Sequence, residues 1–186
     1  RVNRLYVAKQ IGNELTTVGA EDVRAAQQEK AGREAQLRAI EESLTAMFGT
    51  PDEPFIVDDA EIGVDRVINA SLLSMAAGKV GKDENGFARG LYRQHCVHCH
   101  GVTGDGKGTT AEFLNPFPRD FRPGIYKFKS TPLGEKPTDA DLHKTLWEGV
   151  PGTAMPSFKL LAEDEREALV NYVKYLSVRG EVERAM

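Results

Sequence analysis

The chain has 186 residues, 40% of them hydrophobic, and 24 basic against 28 acidic side chains give a net charge of −4. That supplies an ordinary core without a disulfide framework and argues against an undirected polyanion binder, so nucleic acid is not an expected partner. The longest apolar runs are a few residues, far below the roughly 20 needed to cross a bilayer, and no segment of this sequence is expected to span a membrane.

Composition divides the chain. Residues 1–82 carry 10 basic and 13 acidic side chains and are rich in Ala, Glu and Gln, whereas residues 83–186 carry 14 and 15 and hold Trp147 and every tyrosine but Tyr6. The expected boundary therefore falls after Lys82, with a helical extension for docking or tethering over 1–82 and a denser, cofactor-bearing domain over 83–186. From about Glu21 to Met47, the residues Val23, Ala26, Leu37, Ile40, Leu44 and Met47 recur at helical intervals, and Gly49, Pro51 and Pro54 end the pattern. A shorter helix is expected from about Asp65 to Ala77, with Val67, Ile68, Leu72 and Met75 inward. The next should run from about Asn85 into the cysteine pair. Thr138 and Asp141 stand at capping-box spacing ahead of a helix to Glu148 with Leu142 and Leu146 on its apolar edge. A last helix, from Glu163 to about Val178, places Leu169, Tyr172, Val173 and Leu176 on one face and is expected to stop near Gly180. The Gly/Pro-rich path from Gly101 to Pro137 is too long to be empty loop in a compact domain.

The chemistry lies in Cys96-Val97-His98-Cys99-His100, the only two cysteines of the chain. The C-x-x-C-H spacing is that of c-type haem attachment: one helical turn separates two thiols that can form thioethers to one porphyrin edge, and the adjacent imidazole can reach the iron. Zinc would need four ligands, and His95, His98, His100 and His143 supply no second pair at structural spacing. A thioredoxin-like pair would need a preceding strand and a βαβ context, and neither is visible. One haem c per chain is thus the expected cofactor. For a second axial ligand to iron, Met155 stands out in Gly152-Thr153-Ala154-Met155-Pro156-Ser157-Phe158, where small residues admit the ring and Pro156 stiffens the loop. Met47 and Met75 fall on apolar helical faces and read as core; Met186 is terminal, His95 and His98 flank the attachment turn as surface or near-surface residues, and His143 reads as a solvated position.

These residues carry a resemblance. From about Asp83 to Val178, with Tyr92 four residues before the first cysteine, the C-x-x-C-H, the Gly-Asp-Gly-Lys-Gly turn at 104–108 and the methionine loop, the chain resembles the class I cytochrome c domain. The string from Pro118-Arg119-Asp120-Phe121 through Tyr126 to Met155-Pro156 resembles a bacterial monohaem subgroup. The resemblance implies an all-α fold of three main helices around one covalent haem, with long Gly/Pro-rich loops and, here, an N-terminal helical extension. It implies that Tyr92, Ala88 and Gly90 cross the final helix near Leu169 and Tyr172. In the subgroup a proline carbonyl after the glycine turn commonly receives the Nδ1 proton of the axial histidine; this chain has Thr109 there.

With His100 and Met155 both on the iron, no coordination site would be open, which suits one-electron transfer and not an enzyme's substrate chemistry. Leu114, Phe117, Phe121 and Phe158 are the expected apolar wall. Arg119 and Tyr126 are the candidates for the haem propionates, within a stretch of 119–129 that carries a local +3; Lys127 and Lys129 read equally well as a solvated basic face. Trp147 either packs on the haem edge or is a plain core tryptophan. Were Met155 absent from the iron, a peroxidase-like or ligand-sensing protein would be the alternative, and no distal His/Arg pair supports it. The expected partners are redox proteins, with the extension able to hold the domain in a larger respiratory oxidoreductase complex. The resemblance implies a periplasmic location, the protein soluble or tethered by a segment not present in this sequence.

Overall fold

The structure, a computed structural model, describes residues 20–56 and 67–186, with side chains from residue 24 onward. The chain divides into two compact units, Arg1–Glu42 and Ser43–Met186. Helix α1 (Ala20–Phe48) matches the periodicity expected from Glu21 to Met47. Within the first unit its side chains are held by local pairs, Arg33 with Glu29 at 3.4 Å and Lys30 with Glu34 at 4.0 Å. Leu37 is 59% exposed, so the apolar stripe is not buried along its whole length. Burial starts in the second unit, at Leu44 and Phe48. Val23 and the expected helix start at Asp65 lie outside the described side chains and residues.

The second unit is assembled on helix α6 (Glu163–Ala185), whose Leu169, Tyr172, Tyr175 and Leu176 are buried. Its polar atoms show what it packs against. The Tyr175 hydroxyl donates to the Phe48 carbonyl at 2.8 Å, and the Tyr172 hydroxyl donates to the Pro51 carbonyl. Buried Asn171 accepts the Asn69 N–H at 2.8 Å, while Asn69 caps the short helix α2 (Ala70–Ala76) by accepting from Ser71. These bonds tie residues 48–56 and 67–76 to the same core, which is why the unit begins at Ser43 and not at the expected boundary after Lys82. Helix α2 is shorter than expected, because Asn69 starts it; Val67 is 52% exposed before the cap, whereas Ile68 and Leu73 are buried.

A two-stranded antiparallel hairpin, β1 (Gly81–Lys82) with β2 (Ala88–Arg89), occupies the ground where a helix from Asn85 was expected. The Asp83 carboxylate accepts the Asn85 and Phe87 N–H groups and so shapes the turn instead of a helix start. Helix α3 (Leu91–His95) begins only after Gly90, which holds φ +74° against the Lys79–Val80 backbone; an added Cβ there would sit 2.5 Å from the Val80 nitrogen. Gly90 therefore serves the hairpin and not the crossing with the last helix. The crossing is made by Tyr92, whose ring centroid lies 4.8 Å from that of Tyr172. The chain kinks at Cys96 into helix α4 (Val97–His100), passes a 3-10 turn at Ala111–Phe113, and enters helix α5 (Asp139–Glu148). The Thr138/Asp141 capping box forms as read from the sequence. Helix α6 runs past Gly180, which is present because the backbone and Cβ of Arg122 leave no room for a side chain there, not because the helix ends. No helix among the described residues is long and apolar enough to cross a membrane.

Candidate cofactor site

A cavity of about 410 Å³ lies among the helices of the second unit. Cys96, Cys99 and His100 line it from α3 and α4, and Met155, Pro156 and Phe158 line it from the loop after α5. The four residues named first from the sequence are thus brought to one cavity.

The kink at Cys96 sets the thiols. Cys96 is the C-terminal cap of α3 and the N-terminal cap of α4, so both cysteines face the cavity across one turn without forming a disulfide. Cys96 is 8% exposed, and burial, with Cys99 as the second cause, pushes its thiol up to about 12. A neutral sulfur fits such a position better than a thiolate. His100 Nδ1 lies 3.1 Å from the Arg119 carbonyl, which can only accept, so Nδ1 carries the proton and Nε2 keeps its lone pair. Burial lowers the His100 pKa and favours this neutral form. The bond goes to Arg119 and not to Thr109, the position at which the family pattern has its proline. Phe121 stacks on the His100 ring at 4.5 Å and 20°, and Tyr126 stacks on Phe121 at 6.2 Å and 14°.

The methionine loop is held by its own backbone. The Val150 N–H donates to the Met155 carbonyl at 3.1 Å, the Met155 N–H donates to Thr153 Oγ1 at 3.1 Å, and the Phe158 N–H donates to the Leu146 carbonyl at 2.8 Å. Gly149, with φ +69°, approaches the Met155–Pro156 backbone so closely that a Cβ would meet the Pro156 carbonyl carbon at 2.7 Å.

Other expectations change. Tyr126 lines the cavity, but Ser177 Oγ donates to the Val173 carbonyl at 3.0 Å, so the Tyr126 hydroxyl is the donor in its 2.5 Å bond to Ser177. Its single proton is committed there and is not offered to a propionate. Arg119 and Lys127 line the cavity; Arg122 pairs with Asp120 at 2.8 Å, a pair already counted in the local +3, and Lys129 donates to the carbonyl of Thr131 at 2.8 Å and to that of Pro132, which binds its ammonium to the backbone without neutralising it. Trp147 is 49% exposed beneath the Arg166 guanidinium, 4.8 Å from it, and does not line the cavity; helical phase turns Leu142 and Leu146 inward instead. Leu114 is half-buried at the end of the 3-10 turn and is not part of the lining either. His95 and His98, expected at or near the surface, are half-buried and exposed respectively, and both also line the cavity, with His95 edge-on to Phe158 at 6.0 Å. Val150, Leu169 and Val173 complete the wall. The last two were legible as one helical face, whereas Val150, next to a glycine in a loop, gave no periodic signal.

Residues 88–177 match the cytochrome c family. They are a cytochrome c domain. The match takes in just under half of the 186-residue chain and includes both cysteines, His100 and Met155. Among solved structures, a chain of the Kuenenia stuttgartiensis reducing HAO-like protein complex Kustc0457/Kustc0458 is 39% identical, with 47% of this chain and 40% of that chain covered and a TM-score of 0.46. This chain therefore spans less than half the length of that one. None of the curated proteins compared with the chain matches it.

Membership implies covalently bound haem c. The residues fit the group: two reduced cysteines one turn apart, one of them buried where a neutral thioether is favoured, an imidazole with a free Nε2 lone pair, and a mostly aliphatic and aromatic wall. Haem-based electron transfer is the chemistry the cytochrome c domain supports.

Proposed function

We propose that this cytochrome c domain adopts the class I fold and is a one-electron carrier in a periplasmic respiratory chain, with one haem c on Cys96 and Cys99 and the axial pair His100 and Met155. The observation that carries this reading is that Met155, alone among the four methionines, lines the cavity that His100 and both cysteines line. When bound, haem c supplies an iron that changes its charge by one electron without making or breaking bonds to substrate. This chain's residues do the rest. His100 presents Nε2 because Arg119 holds its Nδ1 proton, Met155 presents a neutral thioether from a loop pinned to α5, and the apolar wall excludes water, limiting the reorganisation that accompanies a change of charge. The periplasmic location rests on the covalent attachment implied by the family.

The test is spectroscopic. Oxidised protein should show the weak long-wavelength sulfur-to-iron charge-transfer band, and its denatured mass should equal the chain plus one haem. Met155→Ala should abolish the band and let the reduced protein bind carbon monoxide, while Met47→Ala and Met75→Ala keep the band. Loss of the band in either of the latter two, and not in Met155→Ala, would overturn the ligand assignment. A second reading, a haem subunit of a larger oxidoreductase complex, is supported by Leu37, 59% exposed on the charged helix α1. Co-purification of a redox partner with the full chain but not with a Leu37→Glu variant would favour it.

A further inference from the structure

Three near-parallel rings, those of His100, Phe121 and Tyr126, all line the cavity and also form a continuous column. His100 and Phe121 stack at 4.5 Å and 20°, and Phe121 and Tyr126 stack at 6.2 Å and 14°. The far end of the column is anchored to α6, since Tyr126 donates to Ser177 and Ser177 donates to the Val173 carbonyl. Burial, opposed in part by the Ser177 bond, pushes the Tyr126 hydroxyl up to about 12, so this anchor keeps its proton across the physiological range.

Phe121 is also fixed along its backbone. Its N–H donates to the Gly104 carbonyl at 2.7 Å, and Gly104, at φ +76°, leaves only 3.0 Å between a would-be Cβ and Phe121 Cδ2. Two residues earlier in the same segment, the Arg119 carbonyl accepts the His100 Nδ1 proton. On the other side Asp120 and Arg122 form a forked pair, and Gly180 of α6 lets Arg122 close against the helix. One short segment therefore supplies both restraints on the imidazole, a ring against its face and a carbonyl on its outer nitrogen.

We propose that Phe121 is a positioning residue for His100, holding the imidazole plane and the Nδ1–H···O=C bond together, and that Tyr126 and Ser177 lock it from behind. The proposal rests on His100 as an iron ligand, the reading given above. A well-made bond from Nδ1 to a carbonyl raises the basicity of Nε2 and so favours the oxidised, more highly charged iron. Loosening the stack should therefore raise the midpoint potential and speed solvent exchange of the Nδ1 proton.

The experiment compares Phe121→Leu, which keeps an apolar side chain but removes the ring and some volume, with the full-length haem-loaded wild type by potentiometry and by NMR of the iron-shifted His100 resonances. The expected result is a higher midpoint potential, altered His100 ring shifts, and Nδ1–H exchange faster by about 2- to 12-fold, the range to which the contribution of an aromatic pair converts. Ser177→Ala, which leaves all three rings in place and removes only the anchor, should move each quantity in the same direction by less. Leu73→Ala, a buried change in α2 away from the cavity, should lower stability and leave all three where they were. Unchanged potential and His100 shifts in Phe121→Leu and Ser177→Ala, or an equal shift in Leu73→Ala, would overturn the positioning role while His100 ligation stands. Absence of His100 from the iron-shifted signals of the wild type would overturn both the ligand assignment and this inference.

Discussion

The histidine segment and the methionine loop meet at one cavity but are held in different ways. His100 is restrained from a distance in sequence: Arg119 holds its nitrogen, Phe121 its face, and α3, which leads into it, is gripped by Asp52 through a forked pair to Arg93 at 2.5–2.9 Å. Met155 is restrained locally, by bonds to Val150 and Thr153 and by the close approach of Gly149. Long-range restraint is rigid but depends on remote residues, whereas a self-bonded loop survives remote changes and yields to a single change within itself.

The sharpest way to break this contrast is truncation. A chain trimmed to residues 80–186 loses the carbonyls that accept from Tyr172 and Tyr175 and the buried Leu44, Phe48, Ile68 and Leu73. At about 1.5–3 kcal/mol for each apolar side chain and about 1–3 kcal/mol for each orphaned hydroxyl, the loss is on the order of the entire stability of a domain. The expected outcome is failure to retain the native haem spectrum, while a chain trimmed to 43–186 retains it. An unchanged spectrum in the shorter chain would show that the histidine segment does not need residues 43–79.

Next in size is Gly149→Ala, which strikes the methionine loop from inside. With φ +69° and the Pro156 carbonyl carbon 2.7 Å from the new Cβ, the strain is about 1–3 kcal/mol. With Met155 as the proposed ligand, the charge-transfer band should weaken and carbon monoxide should bind the reduced form, with the His100 resonances unmoved. Asp52→Asn is the matching probe of the histidine segment. Both partners are more than a third exposed, so the loss should be about 1 kcal/mol or less, read as a fall of a few degrees in Tm with the methionine band intact.

The smallest effect is expected in acid, through helix α5, which carries Leu142 and Leu146 to the cavity and the Leu146 carbonyl to the methionine loop. The Thr138 N–H, followed by the Ser130 N–H and the hydroxyls of both residues, lowers the Asp141 pKa from 3.8 to about 2. A depressed carboxylate contributes stability above its ordinary pKa and loses it as pH falls through about 2. Tm measured from pH 5 to pH 2 should therefore fall less steeply in Asp141→Asn than in the wild type. Equal slopes would remove the capping box from the account of acid stability.

How much of this was legible in the sequence follows the same division. Local devices could be read directly: the C-x-x-C-H turn, the methionine loop, the Thr138/Asp141 box and the single face of α6 each depend on residues a few positions apart, where helical phase and turn chemistry act. Trp147 and Leu114 were misplaced because an aromatic or aliphatic residue near a motif says nothing about which way its element is turned. The second half of the hairpin, from Asn85 to Arg89, was read as helix because Gly90 signals a break only once the Lys79–Val80 backbone is known to lie against it.

By itself, then, the sequence determined the cofactor chemistry, since thiol spacing and an adjacent imidazole are properties of a few consecutive positions. Only the tertiary structure decided where the compact unit begins, that Arg119 and not residue 109 holds the His100 proton, and that Tyr126 offers its proton to Ser177. The physical reason is that a carbonyl or hydroxyl carries no sequence signature of its own. Any residue has the one and several the other, so the partner is chosen by tertiary packing, across 19 positions for His100 and Arg119 and across 51 to 127 positions for the bonds made by α6.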